Sequence, residues 1–130
     1  MKTKKIKQII KFQAQPLEIY DHYMDSKKHS IFTGAEAKIS KKVGGKYTAY
    51  DGYIEGKNIK LVPGKLIIQT WRSSDFPEKL DSTITIKLEK EKTGTKMTFT
   101  HENVPHDQVK DLKKGWTDFY WKPLKKLFSK

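Results

Sequence analysis

The chain of 130 residues has no cysteine, a single arginine and no long hydrophobic run. Without cysteine it can form no disulfide, no zinc–thiolate site and no cysteine nucleophile. The basic N-terminal stretch contains no apolar segment of signal-peptide length, and no stretch approaches the length that spans a membrane. We therefore expect a soluble, cytoplasmic protein with no membrane span.

All the basic residues except Arg72 are lysine, and the formal net charge is +12. Arginine is the usual bidentate reader of guanine and phosphate, so this balance argues against specific nucleic-acid recognition. The lysines concentrate near the two ends of the chain. They indicate either a solubilising coat or attraction to an acidic protein, a membrane or nucleic acid. We favour the coat, because lysine runs are often only a solvated surface.

The length suits one domain, residues 1–130, without a linker or an internal repeat. An alternating segment, residues 6–12, predicts a first strand. Pro16 then predicts the start of a short helix, in which Leu17, Tyr20 and Met24 fall near helical spacing. Asp25 or Ser26 is suited to cap a second short helix, and Gly34 to end it.

The rest of the chain predicts antiparallel strands followed by a helix. Segments 65–72, 82–91 and 95–101 are rich in β-branched and aromatic residues, and Pro63-Gly64 fits a type II turn. From Val109 onward, apolar residues recur at three- and four-residue intervals, which indicates a helix. We expect Gly115 to interrupt or start its main part and Pro123 to kink it. The order predicts an α+β fold, with one sheet wrapped against one helix.

The segment "KVGGKYTAYDGYIEGK" raises three possibilities: a disordered patch, a phosphate-binding loop or a hairpin. Asp51-Gly52 is a strong type I′ turn signal, so we predict a hairpin. A phosphate loop is disfavoured because no helix follows and no GK[ST] is present. Counting outward from the turn makes Tyr50 and Tyr53 direct cross-strand neighbours on one face.

The same count pairs Ala49 with Ile54 and places both on the opposite face with Tyr47. Beyond Ile54 the alternation breaks, and we expect a bulge at Gly56 that returns Ile59 to the Ile54 face.

Three segments together resemble a known family: "KVGGKYTAYDGYIEGKNIKLVPGKLIIQTWR", "STITIKLEKEKTGTKMTFTHENVP" and "GWTDFYWKPLKKLF". They are similar to the C-terminal domain of the activator of heat-shock protein 90 ATPase, and the resemblance covers about residues 10–128. It implies the START-like helix-grip fold, birch-pollen-allergen-like, with a curved antiparallel sheet of about six strands around a long C-terminal helix. The resemblance names a heat-shock protein 90 homologue as a partner. The eukaryotic activator has a further N-terminal domain, for which we expect no room here.

No residue pattern specifies a catalytic site, a metal site or a cofactor, and we predict none of these. His101-Glu102 near His106 raises a metal or acid/base site, but ordinary surface positions are the favoured interpretation. Arg72 either holds a carboxylate at a cavity mouth or pairs with a surface acid, and the surface pair is favoured.

Three functional hypotheses follow. The first is a non-enzymatic binding module whose partner-binding residues are Tyr50 and Tyr53, although the two tyrosines could merely stabilise their own hairpin. The second is a carrier or sensor of a small apolar ligand held between sheet and helix. Its ligand-binding residues would be drawn from Tyr47, Ile54, Ile59, Ile84, Ile86, Met97, Phe99, Trp116 and Tyr120, with a filled core as the competing interpretation. The third, ranked last, is an enzyme that uses His101 and a tyrosine.

Overall fold

The computed structural model describes residues 2–129, and its centre is one antiparallel sheet of seven strands. Their order across the sheet is β1-β7-β6-β5-β4-β3-β2. The strands are β1 (Thr3–Phe12), β2 (Lys38–Ile39), β3 (Lys46–Ala49), β4 (Ile54–Val62), β5 (Leu66–Ser73), β6 (Ser82–Glu91) and β7 (Gly94–Pro105). The predicted alternation is confirmed in β1, β6 and β7, where alternate side chains are buried.

Two short helices follow β1, as the sequence predicts. The first, α1 (Pro16–Met24), begins at Pro16, and the second, α2 (Ser26–Thr33), is capped by Asp25, whose side chain accepts from the backbone N–H of Lys28. Gly34 ends α2 in the left-handed conformation. The prediction is confirmed for Tyr20 and Met24, which are buried together with Ile19 and Tyr23, and wrong for Leu17, which is 52% exposed.

The C-terminal helical segment has three consecutive parts: α3 (Val109–Trp116), a π-helical turn (Thr117–Trp121) and α4 (Lys122–Phe128). Gly115 lies inside α3, so the expectation that it interrupts or starts the main helix is wrong. Pro123 stands in the first turn of α4, directly after the π-helical turn, so the continuous helical segment lacks one backbone N–H donor at this point. Within residues 2–129, no helix is both long and apolar enough to cross a membrane.

The β3–β4 hairpin has the predicted register beside its turn, with Ala49 opposite Ile54. Asp51 and Gly52 both have positive φ, as a type I′ turn requires. The prediction that Tyr50 and Tyr53 are cross-strand neighbours is wrong. Tyr50 also has positive φ, at 49°, and the ladder stops before Tyr50 and Tyr53.

The predicted bulge at Gly56 is also wrong, because the ladder between β3 and β4 is regular there. The irregularity lies between Asn58 and Lys60, in the pairing with β5. Asn58, which still pairs in the register of Ile54, is buried, and Ile59 is 47% exposed. Gly56 has a different role, since a Cβ there would lie 2.0 Å from the carbonyl oxygen of Thr70 and 2.7 Å from a ring carbon of Tyr47.

The core lies between the inner face of the sheet and the helices. Alternate residues of β6 and β7, among them Ile84, Ile86, Met97 and Phe99, are almost fully buried there. Phe99 packs on both Trp116 and Trp121 of the C-terminal segment, with ring centroids 4.5 and 5.0 Å away. This packing fixes the helical segment across the sheet and determines which of its side chains remain accessible at the edge of the core.

Candidate functional site

An open cleft of about 710 Å³ lies where the β3–β4 turn approaches α3 and the π-helical turn. The loop after β5 closes one side of it. Its lining residues are mostly aromatic or aliphatic: Tyr50, Tyr53, Ile54, Trp71, Asp75, Gln108, Asp111, Leu112, Gly115, Trp116, Phe119 and Tyr120. A concave, largely apolar surface with a few polar groups is the usual form of a binding site.

Trp116, in the floor of the cleft, is held by a buried hydrogen-bond chain. Its indole Nε1 donates to Nδ1 of His101 at 3.1 Å. The imidazole proton must therefore lie on Nε2, which donates to the hydroxyl of Ser82 at 2.6 Å. Ser82 in turn donates to the carbonyl oxygen of Trp71, also at 2.6 Å. The chain joins α3, β5, β6 and β7, so the Trp116 ring has one defined orientation.

Tyr120, the neighbouring floor residue, is anchored in the same way from the other side. Its hydroxyl donates to Nε2 of His29 at 3.0 Å, and Nδ1–H of His29 donates to the carbonyl oxygen of Tyr23 at 2.8 Å. His29 is 2% exposed and belongs to α2. The second short helix, α2, therefore determines the position of a side chain on the C-terminal segment.

Both histidines serve as hydrogen-bond acceptors, which requires the neutral imidazole. Burial lowers the pKa of His29 to about 4 and that of His101 to about 3. At neutral pH each ring is uncharged, because the protein interior disfavours the imidazolium form. The two rings thus keep one lone pair each for Trp116 and Tyr120.

Ser82 and His101 are the residue types of a nucleophile–base pair, but their hydrogen bond runs in the opposite direction, from the histidine to the serine. Trp116 occupies the lone pair on Nδ1, so Nε2 carries the proton and cannot accept one from the serine. Both side chains are 0% exposed. The favoured interpretation of His101 as a surface residue is wrong, and its observed role is to position Trp116.

His106 and Glu102, which the sequence analysis considered together with His101, are exposed at the end of β7 and in the following turn. Nδ1 of His106 lies 3.2 Å from the carbonyl oxygen of Lys2. Among residues 2–129 no three histidine or carboxylate side chains are grouped in a way that could hold a metal ion.

The rim of the cleft is built by two tyrosines that diverge from the β3–β4 turn. The Tyr50 hydroxyl donates to the carbonyl oxygen of Phe119 at 2.7 Å, and its ring meets that of Tyr120 edge-on at 5.7 Å. The Tyr53 hydroxyl donates to the carboxylate of Asp75 across the cleft mouth. Burial raises the pKa of Tyr50 to about 12, so this phenol stays protonated.

The structure brings together five of the residues that the sequence analysis proposed for binding. Ile54, Trp116 and Tyr120 from the ligand set line the same cleft as Tyr50 and Tyr53 from the partner set. Five others lie in the filled core: Tyr47, Ile84, Ile86, Met97 and Phe99. Ile59 is outside both, exposed on β4.

Several lining residues were missed by sequence reasoning. Gln108, Leu112, Gly115 and Phe119 recur at four-, three- and four-residue intervals, which is the signal that places them on one helical face. Asp75 lies in the loop after β5, and the sequence contains no periodic pattern that predicts where this loop lies. Arg72, by contrast, was interpreted correctly: it lies within 4 Å of surface acids, not in the cleft.

A curved antiparallel sheet closed by a C-terminal helical segment, with two short helices after the first strand, defines the START-like helix-grip class. The family model described as "Activator of Hsp90 ATPase homolog 1-like protein" matches residues 13–129. The chain belongs to this family, as the resemblance in the sequence implied.

Curated relatives agree with that assignment. The chain is 31% identical to the activator of 90 kDa heat shock protein ATPase homolog of Dictyostelium discoideum, over 98% of this chain and 33% of the relative. It is 29% identical to the human homolog 1, over 91% of this chain and 35% of that protein. The chain thus spans about a third of the length of the curated relatives it matches.

Solved structures confirm the fold. An Hsp90 activator from Plasmodium falciparum superposes with a TM-score of 0.87 at 22% identity, covering 95% of this chain and 94% of the other. The Aha1 dimer from Colwellia psychrerythraea gives a TM-score of 0.83 at 22% identity, with 96% of each chain covered.

Proposed function

We propose that this chain is a non-enzymatic, co-chaperone-like binding module that engages the heat-shock protein 90 of its host through the aromatic cleft. Membership of the family and the names of the curated relatives support this partner. Because the chain spans only a third of those relatives, stimulation of the chaperone's ATPase is part of the proposal as well.

The observation that carries the proposal is the pair of exposed aromatic side chains at the cleft mouth. Phe119 is 60% exposed and Tyr53 is 43% exposed, yet both are held by hydrogen bonds, Phe119 at its carbonyl oxygen by Tyr50 and Tyr53 at its hydroxyl by Asp75. Aromatic residues with a fixed position are favoured anchors of protein interfaces, because they bury much area and lose little conformational entropy. Tyr50 has a supporting role in this arrangement, since its hydroxyl holds the backbone of Phe119.

Gly115 offers a direct way to test the cleft. A Cβ at this position would meet only Phe119, at 3.8 Å, so the backbone tolerates a side chain that projects toward the cleft. We expect Gly115→Leu to fill the site while Gly115→Ala leaves it open. Comparing these two variants separates occupation of the cleft from any effect on the helix.

The experiment is calorimetric titration of the host's heat-shock protein 90 with the wild type, Gly115→Ala, Gly115→Leu and Phe119→Ala. We expect the last two to bind at least about tenfold more weakly, as for an interface anchor. Ile31→Ala, at an exposed residue of α2 outside the cleft, is the matched surface control. Unchanged affinity in Gly115→Leu, with native circular dichroism, would remove the cleft from the proposal.

Chaperone ATPase turnover, measured with and without the chain, gives a second readout. Binding without stimulation would restrict the role to docking. Absence of both would leave the family assignment intact and contradict the proposed partner.

A second candidate function, carriage or sensing of a small apolar ligand, is favoured by the volume of the cleft. About 710 Å³ lies within the range of small-molecule sites, and most of the lining is apolar. Native mass spectrometry of the protein purified gently from its host tests this candidate. We expect an added mass that leaves on denaturation and is missing from Gly115→Leu; an apo mass for the wild type, even after incubation with host lipid extract, argues against it.

A further inference from the structure

We propose that the cleft selects small organic cations, with the apolar body against the aromatic walls and the positive charge beside Asp75 and Asp111. This inference rests on the second candidate function, because it names the chemical class of ligand that the cleft would take.

The charge of the cleft is opposite to that of the protein. The net charge of the chain is +12, yet no lysine or arginine of residues 2–129 lines the cleft, whereas Asp75 and Asp111 do. Among residues 2–129, no basic side chain lies within ion-pairing distance of either carboxylate. At physiological ionic strength, charges more than about 8 Å away are largely screened. The two carboxylates are therefore the charged groups that line the cleft, and neither is neutralised by a direct ion pair within residues 2–129.

Asp75 is held in place for such a contact. Its carboxylate Oδ2 accepts from the Tyr53 hydroxyl, and its carbonyl oxygen accepts from the side chain of Gln108 at 3.1 Å. Its backbone N–H donates to the Ser73 hydroxyl at 3.3 Å. The loop after β5 is thus tied to the hairpin and to the start of the C-terminal segment. The other carboxylate oxygen, Oδ1, accepts no hydrogen bond from residues 2–129.

The walls add a second attraction for a cation. The ring of Tyr50 meets the rings of Phe119 and Tyr120 edge-on, with ring centroids 6.1 and 5.7 Å away. Faces of aromatic rings carry partial negative charge and attract organic ammonium groups. An apolar body attached to the charge would cover the same rings, so both parts of such a ligand find a complementary surface.

The test uses three probes with one ring system: 1-naphthylmethylammonium, 1-naphthalenemethanol and 1-naphthaleneacetate. Their dissociation constants are measured by nuclear magnetic resonance titration of the full chain at low and at physiological salt. We expect the ammonium to bind roughly two- to fivefold more tightly than the alcohol, the range of exposed ion pairs, and the carboxylate to bind most weakly. The preference should decrease with added salt.

The variants Asp75→Asn and Asp111→Asn should each lower the ammonium-to-alcohol ratio, and the double variant should lower it furthest, leaving only the preference that comes from the aromatic rings. Asparagine still accepts from Tyr53, so the loop keeps its position. Glu89→Gln, which removes one negative charge from the exposed face of β6, is the matched control and should keep the wild-type ratio.

The outcomes separate the inference from the proposed functions. Equal affinities for ammonium and alcohol would overturn the inference but keep an apolar ligand site. Failure of all three probes to bind would overturn the inference and weigh against the carrier function. Neither result bears on binding of the chaperone, which is measured separately.

Discussion

His29 and His101 are ionisable side chains that the fold keeps in the neutral form. Each accepts a hydrogen bond from an aromatic residue in the floor of the cleft. Protonation would place a new imidazole N–H against the indole N–H of Trp116 at His101 and against the hydroxyl of Tyr120 at His29, and it would add a charge in an apolar interior. The free energy of unfolding is therefore linked to pH through these two residues.

We predict that the protein loses stability as the pH falls below about 6.5. The unfolded chain has histidines of ordinary pKa, near 6.5, while the folded values are about 4 and about 3. Between these values the unfolded state binds more protons, so acid favours unfolding, by up to about 1.4 kcal/mol per pH unit for each histidine. Urea unfolding between pH 6.5 and pH 5 measures the slope, and this window lies above the range in which most carboxylates titrate.

His29→Gln and His101→Gln test the assignment. Each should be less stable at pH 7 but show a smaller slope between pH 6.5 and pH 5 than the wild type. A slope that is the same in all three proteins would mean that other groups cause the acid sensitivity.

Substitution by alanine should have opposite effects on stability at Gly56 and at Gly115. Gly56→Ala places a Cβ 2.0 Å from the Thr70 carbonyl oxygen, which is backbone and cannot move aside, so we expect destabilisation by about 1–3 kcal/mol or more. Gly115→Ala has room inside α3 and should stabilise by about 1 kcal/mol through helix propensity. Thermal and urea unfolding of both variants measure the difference. A Gly56→Ala protein as stable as the wild type would contradict the close contact between Gly56 and the Thr70 carbonyl oxygen.

The contrast between these glycines also shows what residue patterns could not predict. The turn at Asp51-Gly52 was predictable because its requirement for positive φ is local. The requirement at Gly56 comes from Tyr47 lying across it and from Thr70 on the next strand. Such contacts depend on which strands become neighbours, information that no single segment contains.

The C-terminal segment combines a proline, a π-helical turn and a hydroxyl from another element. Pro123 has no N–H to donate to the carbonyl four residues earlier, which belongs to Phe119. The Tyr50 hydroxyl donates to that carbonyl instead, at 2.7 Å. The hairpin thereby supplies the hydrogen bond that the helix lacks, and it fixes the residue that forms the cleft rim.

We predict that Tyr50 and Pro123 are energetically coupled. Tyr50→Phe removes the hydroxyl and should cost about 1 kcal/mol in the wild type. In a Pro123→Ala background the new N–H can serve Phe119, so the same change should cost markedly less. A double-mutant cycle by urea unfolding gives the coupling free energy. Additive costs would show that the tyrosine and the proline act independently.

The elements themselves were largely predictable, and the site only partly so. Caps at Pro16, Asp25 and Gly34 define the short helices through local chemistry. Alternation in β1, β6 and β7 correctly indicated which side chains face the core, whereas in β4 it placed Ile59 on the wrong face. It could not show that Met97 and Phe99 fill the interior while Tyr50 and Tyr53 border an open cleft, because that depends on how closely the sheet approaches the C-terminal segment.

Charge is distributed unevenly over the whole molecule. The exposed face of β1 carries Lys5, Lys7 and Lys11, and Lys11 stands opposite Lys96 of β7 in the ladder. The ion pairs among residues 2–129 mostly join exposed side chains, which contribute little. Repulsion among the unpaired lysines should therefore exceed the attraction from these pairs.

We predict that added salt stabilises the protein. Raising NaCl from about 0.02 M to about 0.2 M shortens the screening length from roughly 20 Å to below 10 Å, which weakens the repulsion of a net charge of +12. The melting temperature should rise accordingly. Lys7→Glu lowers the net charge from +12 to +10 at an exposed position of β1, so this variant should be more stable at low salt and respond less to NaCl. A melting temperature that falls with salt would instead mean that the exposed ion pairs outweigh the repulsion, and the lysine surface would then contribute to stability rather than reduce it.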